Sequence, residues 1–166
     1  LTSGANNLAI GYLAGKTLTT GPENIAIGRQ ALETHLTGES NIAIGYLAMG
    51  DTDAGTNSND SDHNICIGLQ SGGGTWANAK SEQNVAIGNY TLDAALNGAN
   101  ANVCVGYFAG SAVTSGDNNV FIGKEAGNNC TTGDDNTQVG HALTNGSLTA
   151  DHCHGLGNNL SCAADY

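Results

Sequence analysis

Asn24-Ile25-Ala26-Ile27-Gly28 is followed 17 residues later by Asn41-Ile42-Ala43-Ile44-Gly45. Close variants of the phrase stand at residues 7–11, 64–68, 84–88, 102–106, 119–123 and 136–140. The closing glycines lie 17, 17, 23, 20, 18, 17 and 17 residues apart. One more step of 17 lands on Gly157, in the decayed copy Cys153-His154-Gly155-Leu156-Gly157. Nine copies at a period near 17 define a solenoid of equivalent rungs, each burying its apolar residues against its neighbours.

Within the phrase, Ile25 and Ile27 flank Ala26 with a period of two, the pattern of a strand whose successive side chains point to opposite faces. The pairs Ile42/Ile44, Ile65/Ile67, Val85/Ile87, Val103/Val105 and Val120/Ile122 repeat it. Stacked β-branched residues predict the solenoid interior on that side. The opposite slot holds Ala9, Ala26, Ala43, Cys66, Ala86, Cys104, Phe121, Gln138 and Gly155. A solvent-facing slot would drift to charged residues, so persistent small size predicts packing against the same strand of a neighbouring subunit around a symmetry axis. Ala9, Ala26, Ala43, Cys66, Ala86, Cys104 and Phe121 are therefore the expected interface residues, and Phe121 and Gln138 imply a contact that changes toward the C-terminal end.

The glycine after each strand marks one corner. The pairs Thr20-Gly21, Thr37-Gly38, Asn97-Gly98, Ser115-Gly116 and Thr132-Gly133 mark a second. Two corners per rung predict two short strands per rung and a flattened roll. The asparagine before each strand predicts a ladder, each side-chain amide bonding a turn of the next rung.

Composition narrows the function classes. The chain has 25 glycines, one proline, 5% aromatic and 11% charged residues, and a formal net charge of -11. With four basic residues (Lys16, Arg29, Lys80 and Lys124) there is no patch to neutralise phosphates, which argues against nucleic acid and anionic membranes. No apolar run approaches a membrane span. The sequence opens on Leu1 inside a repeat flank and reads as part of a longer fibrous protein. Residues 1–166 form a single repeat domain with an irregular last rung from about residue 146. Five cysteines, an odd number, argue against a fully paired disulfide framework. Cys66 and Cys104 share a slot two rungs apart, too far for an intrachain bond; they read as small apolar side chains or as an interchain link.

The breaks in the period are where a ligand would sit. The longest insertion contains Asp51, Asp53, Asn57, Asn59, Asp60 and Asp62, hard oxygen donors suited to calcium or to a solvated acidic loop. The spacing departs from the usual calcium-loop pattern and no glutamate closes it. A second insertion carries Trp76, the only tryptophan, a candidate glycan platform or a packing residue. His152, Cys153, His154 and Cys162 carry zinc-ligand chemistry at a spacing that matches no known finger. The paired acids Asp60/Asp62 and Asp134/Asp135 have no accompanying catalytic motif, so no enzyme is expected. Apart from calcium, no cofactor is expected.

The phrase Asn-x-(Val/Ile)-Ala-Ile-Gly resembles the repeat of YadA-like trimeric autotransporter adhesin heads. The longer form, seen in Gly11-Tyr12-Leu13-Ala14-Gly15 and Gly106-Tyr107-Phe108-Ala109-Gly110, resembles repeats of bacteriophage tail fibres. The resemblance covers residues from about 5 to 160. It implies an all-β, left-handed parallel β-roll of about nine 17-residue rungs, assembled as a homotrimer whose repeat strands line the axis. It implies surface attachment rather than catalysis, with a cell-surface glycan or protein as receptor, on a virion or at a bacterial cell surface. The period of 17, the insertions and the cysteines depart from the adhesin heads. Cysteines suit folding in a reducing cytoplasm, which favours the phage fibre. An adhesin head and a purely structural spacer are the alternatives.

Overall fold

A computed structural model describes residues 4–52, 60–142, 144, 145, 149, 151–158, 161 and 162. Nine strands make one parallel sheet. In chain order the elements are β1 (Leu8–Ile10), β2 (Ile25–Ile27), β3 (Ile42–Ile44), β4 (Ile65–Ile67), β5 (Val85–Ile87), β6 (Val103–Val105), β7 (Val120–Ile122), β8 (Thr137–Val139), β9 (Thr144–Asn145), β10 (His154–Leu156) and β11 (Ser161–Cys162). The sheet runs β1 to β8 without a crossover and ends on β10. Equivalent repeat positions pair directly, as in Ala26 with Ala43 and Cys104 with Phe121. The chain is a parallel β-solenoid of about eight turns with almost no helix.

The sidedness expected from the alternation is reversed. Ala26, Ala43, Ala86, Cys104 and Phe121 have no exposed surface, and Cys66 has 1%. They point into their own chain. The aliphatic pairs on either side are half-buried or exposed and point outward. Ala9, in the first strand, is exposed along with its neighbours. Apart from Ala9, the expected interface residues are thus core residues. Across a narrow roll the slot faces Leu32, Met49, Trp76 and Leu92, which are fully buried and leave room for little more than a methyl or a thiol. Phe121 fits because the opposite wall of its rung is Gly127, where a Cβ would collide with the ring. Gln138 also points inward, its Oε1 accepting the Gly127 N–H at 3.0 Å.

Among the described residues a second strand per rung is absent from most rungs; there β9 and β11 alone form a second, two-stranded parallel sheet, near the C-terminal end. Elsewhere that wall is turns, joined rung to rung by backbone bonds such as Thr19 N–H to Leu36 O (2.9 Å) and Thr114 N–H to Thr131 O (2.8 Å). Left-handed residues prevent extension there. Gln30 and Leu32 in one rung, and Leu47 and Met49 in the next, have φ between 45° and 59°. The residue before each ladder asparagine is also left-handed, for example Glu23 (φ 61°) and Gln83 (φ 60°). The corner glycines stand near φ 130–140° with the next rung pressed against them: a Cβ on Gly106 would lie 2.5 Å from the Gly123 oxygen.

Candidate functional site

Three features could carry function: the interior asparagine ladder, the period breaks, and the outward face of the sheet.

The ladder is structural, as its pattern predicts. Each Oδ1 accepts from the backbone N–H of the next asparagine, at 2.9 Å from Asn41 to Asn24 and 3.0 Å from Asn102 to Asn84. From Asn7 to Asn119 each Nδ2 donates to a carbonyl of the following turn, as from Asn84 to Ala99 O at 2.8 Å. From Asn24 to Asn136 the amides are buried. In the last copy Cys153 replaces asparagine, and its N–H still donates to Asn136 Oδ1 at 2.8 Å. The ladder offers no ligand a free amide.

Trp76 is fully buried, which corrects its reading as a glycan platform. Its indole N–H donates to Gly72 O at 3.0 Å, and its ring occupies the interior slot held elsewhere by Leu18, Leu96 and Val113. A loop position and a lone aromatic gave no sign of burial; the ring packs over Gly72, where a Cβ would stand 3.5 Å from it.

Asp53, Asn57 and Asn59 lie outside the described residues. The other acids of that insertion turn to separate partners. Asp51 Oδ2 accepts the Thr75 hydroxyl at 2.5 Å, Asp60 accepts the Thr37 hydroxyl, and Asp62 Oδ1 accepts the Glu39 N–H at 2.7 Å. Among the described residues no three His, Cys, Asp or Glu side chains converge on a metal-sized site. At the C-terminal end Cys153 is disulfide-bonded and His152 and His154 are exposed, so that cluster is not a thiolate zinc site.

Cys66, Cys104 and Cys130 are buried and form no disulfide. Burial raises the Cys66 pKa to about 12, against a smaller opposing effect of the Ser71 hydrogen bond, and raises that of Cys104 too. Neither thiol is placed for an interchain link. His35 is a site the sequence reading missed. It is buried in the interior slot, with Nδ1 3.0 Å from Thr52 Oγ1 and Nε2 3.2 Å from Asn41 Nδ2. Desolvation lowers the His35 pKa to about 4, against smaller opposing effects of Asp60 and Ser61.

The outward face remains. Leu8, Ile10, Ile87, Ile122 and Leu156 are exposed, and the other outward aliphatics of the sheet are half-buried. Along the edge that follows the strands stand the exposed side chains of Tyr12, Tyr46 and Tyr107. Arg29 lies between the first two, its guanidinium carbon 5.9 Å from the Tyr12 ring and 5.5 Å from the Tyr46 ring. Tyr107 and Phe108 meet edge to face at 4.5 Å, and Tyr90 stacks on Phe108 at 5.0 Å. Along the edge that precedes the strands runs a carboxylate column. Asn100 N–H donates to Asp117 Oδ1 at 2.7 Å, Asp117 N–H to Asp134 Oδ1 at 2.7 Å, and Asp134 N–H to Asp151 Oδ1 at 2.8 Å.

The fold and this face define a parallel β-solenoid with one long apolar surface. Comparison of the chain with protein-family models, with curated proteins and with solved structures found no match.

Proposed function

We propose that this chain is a rigid, non-enzymatic segment of an attachment fibre, of the bacteriophage tail-fibre type. It winds left-handed and assembles as a parallel homotrimer. The outward face of the sheet supports this reading. Eight large apolar side chains are 38–74% exposed. At about 200 Å² for each full side chain, they leave on the order of 800 Å² of apolar surface in water. A stable interface buries about that much per partner, and isolated chains rarely leave such a patch uncovered. The trimer contact accordingly moves from the alanine column to the isoleucine and valine columns on either side of it.

Light scattering tests the assembly. The expected mass is about three times the 16.7 kDa of one chain. Ile44→Arg should give a folded chain of single mass, because an arginine on that face is tolerated only in water. Ala43→Arg should abolish folding, because it puts a charge in the core. A single mass for the wild type, or an unchanged mass for Ile44→Arg, rejects the proposal. The burial of Trp76 favours a second reading, a spacer that carries no receptor site of its own. Binding of the isolated segment to host cells would reject that second reading.

A further inference from the structure

Just past each corner glycine the first six rungs place Tyr12, Arg29, Tyr46, Leu69, Asn89 and Tyr107, and all but Leu69 are exposed. The residue after each of these is half-buried and left-handed, with φ between 50° and 59° from Leu13 to Phe108. An extended chain would send two successive side chains to opposite faces. The left-handed turn brings them onto one corner instead, where the Tyr107 and Phe108 rings meet at 4.5 Å. Two columns of side chains thus form one ledge along the solenoid.

The ledge gathers what the rest of the surface lacks. Trp76 and Phe121 lie in the core, and the other aromatics among the described residues, Tyr12, Tyr46, Tyr90, Tyr107 and Phe108, all stand on the ledge. Over these six rungs neither column holds an acid, in a chain with 15 acids and a formal net charge of -11. Polar side chains lie among the rings. Arg29 stands between the Tyr12 and Tyr46 rings and is also drawn to Glu33 of its own chain. Asn89 Oδ1 accepts the Leu69 N–H at 2.9 Å, beside the stack of Tyr90 on Phe108. Five steps of about 4.8 Å make the ledge from Tyr12 to Tyr107 about 24 Å long.

We infer that this ledge binds a linear polysaccharide lying along the solenoid axis, with about one sugar ring to each rung. This rests on the attachment role proposed above. A pyranose in an extended chain is about as long as the rung spacing of about 4.8 Å, so a polysaccharide keeps step with the ledge. An extended peptide rises about 3.3 Å per residue and falls out of step. The aromatic rings offer apolar area to the C–H groups of a sugar, and the phenol hydroxyls, amides and guanidinium offer hydrogen bonds to its hydroxyls. The absence of acids admits anionic as well as neutral sugars, with Arg29 as the charge partner of a sugar carboxylate. The ledge stands past the corner glycines, so it borders the aliphatic columns that the copies share without being made of them. Each chain carries its own complete ledge.

Isothermal titration of the full chain tests this with cellohexaose, chitohexaose, xylohexaose and hexagalacturonate, and with the disaccharide and tetrasaccharide of each series. At least one series should bind, and its affinity should rise with length up to about six sugars. Tyr12→Ala and Tyr107→Ala should each weaken binding of the hexasaccharide about three- to tenfold. Both side chains are exposed, so circular dichroism and melting should stay as in the wild type. Glu82→Ala, on the opposite edge of the sheet, should bind as the wild type does. No heat from any series, an affinity independent of length, or tyrosine variants that bind like the wild type would overturn the ledge. Host-cell binding that survives in both tyrosine variants would keep the attachment role and overturn the ledge. Length-dependent glycan binding without host-cell binding would support the ledge and overturn the attachment role.

Discussion

His35 shows how a single interior residue is controlled by its surroundings. Its ring fills a slot held in other rungs by Leu18, Thr52, Leu96 and Val113, and it stays neutral because the site excludes water. Its folded pKa of about 4 lies below the ordinary value of 6.5. The neutral form is favoured by folding, so the full contribution is present above pH 6.5 and is lost as pH falls toward 4. A shift of that size corresponds to about 3 kcal/mol. Chemical denaturation at pH 7 and pH 4 should show that loss, and His35→Leu should remove most of it. An unchanged pH slope in the variant would reject the assignment. The same scale explains what the sequence could and could not show. Asn24, Asn41 and Asn64 were legible as a ladder because a buried amide in register with its copies has one economical set of partners. The inward direction of Ala26 was not legible. An apolar-small-apolar strand looks alike from both sides, and only the opposite wall, made by Leu32, Met49 and Trp76, decides which side has room.

The rung is the unit at the next scale. Its strand is three residues long, and the rest is held in place by left-handed turns and by the asparagine. Asn84 tests that division of labour. Its amide accepts from the Asn102 N–H at 3.0 Å and donates to Ala99 O at 2.8 Å. Asn84→Ala leaves both backbone groups buried and unpaired, a loss of about 2–5 kcal/mol. Asn84→Asp restores the acceptor but not the donor, so it should recover little. Thermal melting of the two variants measures this, and a loss below about 1 kcal/mol would mean that the ladder is dispensable. Among the described residues the corners seldom enclose a second strand. A Thr-Gly pair marks a bend, but bends at Gln30 and Leu32 as well leave no extended stretch between them.

Over the whole molecule, contacts join each turn to the next and to little else, so stability accumulates along one dimension. Native-state hydrogen exchange should be slowest at the Ile65, Val85 and Val103 amides, which bond to Asn84, Asn102 and Asn119 carbonyls at 2.7–2.8 Å in the middle of the stack. The Leu8 amide, in a strand that is exposed throughout, should exchange at least about a hundredfold faster. Uniform protection from end to end would show that the turns unfold as one unit. The ladder has a direction as well: every amide engages the following turn, and the asparagine series gives way to Cys153. Because each residue bonds to its own counterpart one period away, a copied or deleted period brings all of its partners with it. Reach can then be adjusted in steps of one turn by duplication or loss within the gene, with no interior contact to be invented afresh.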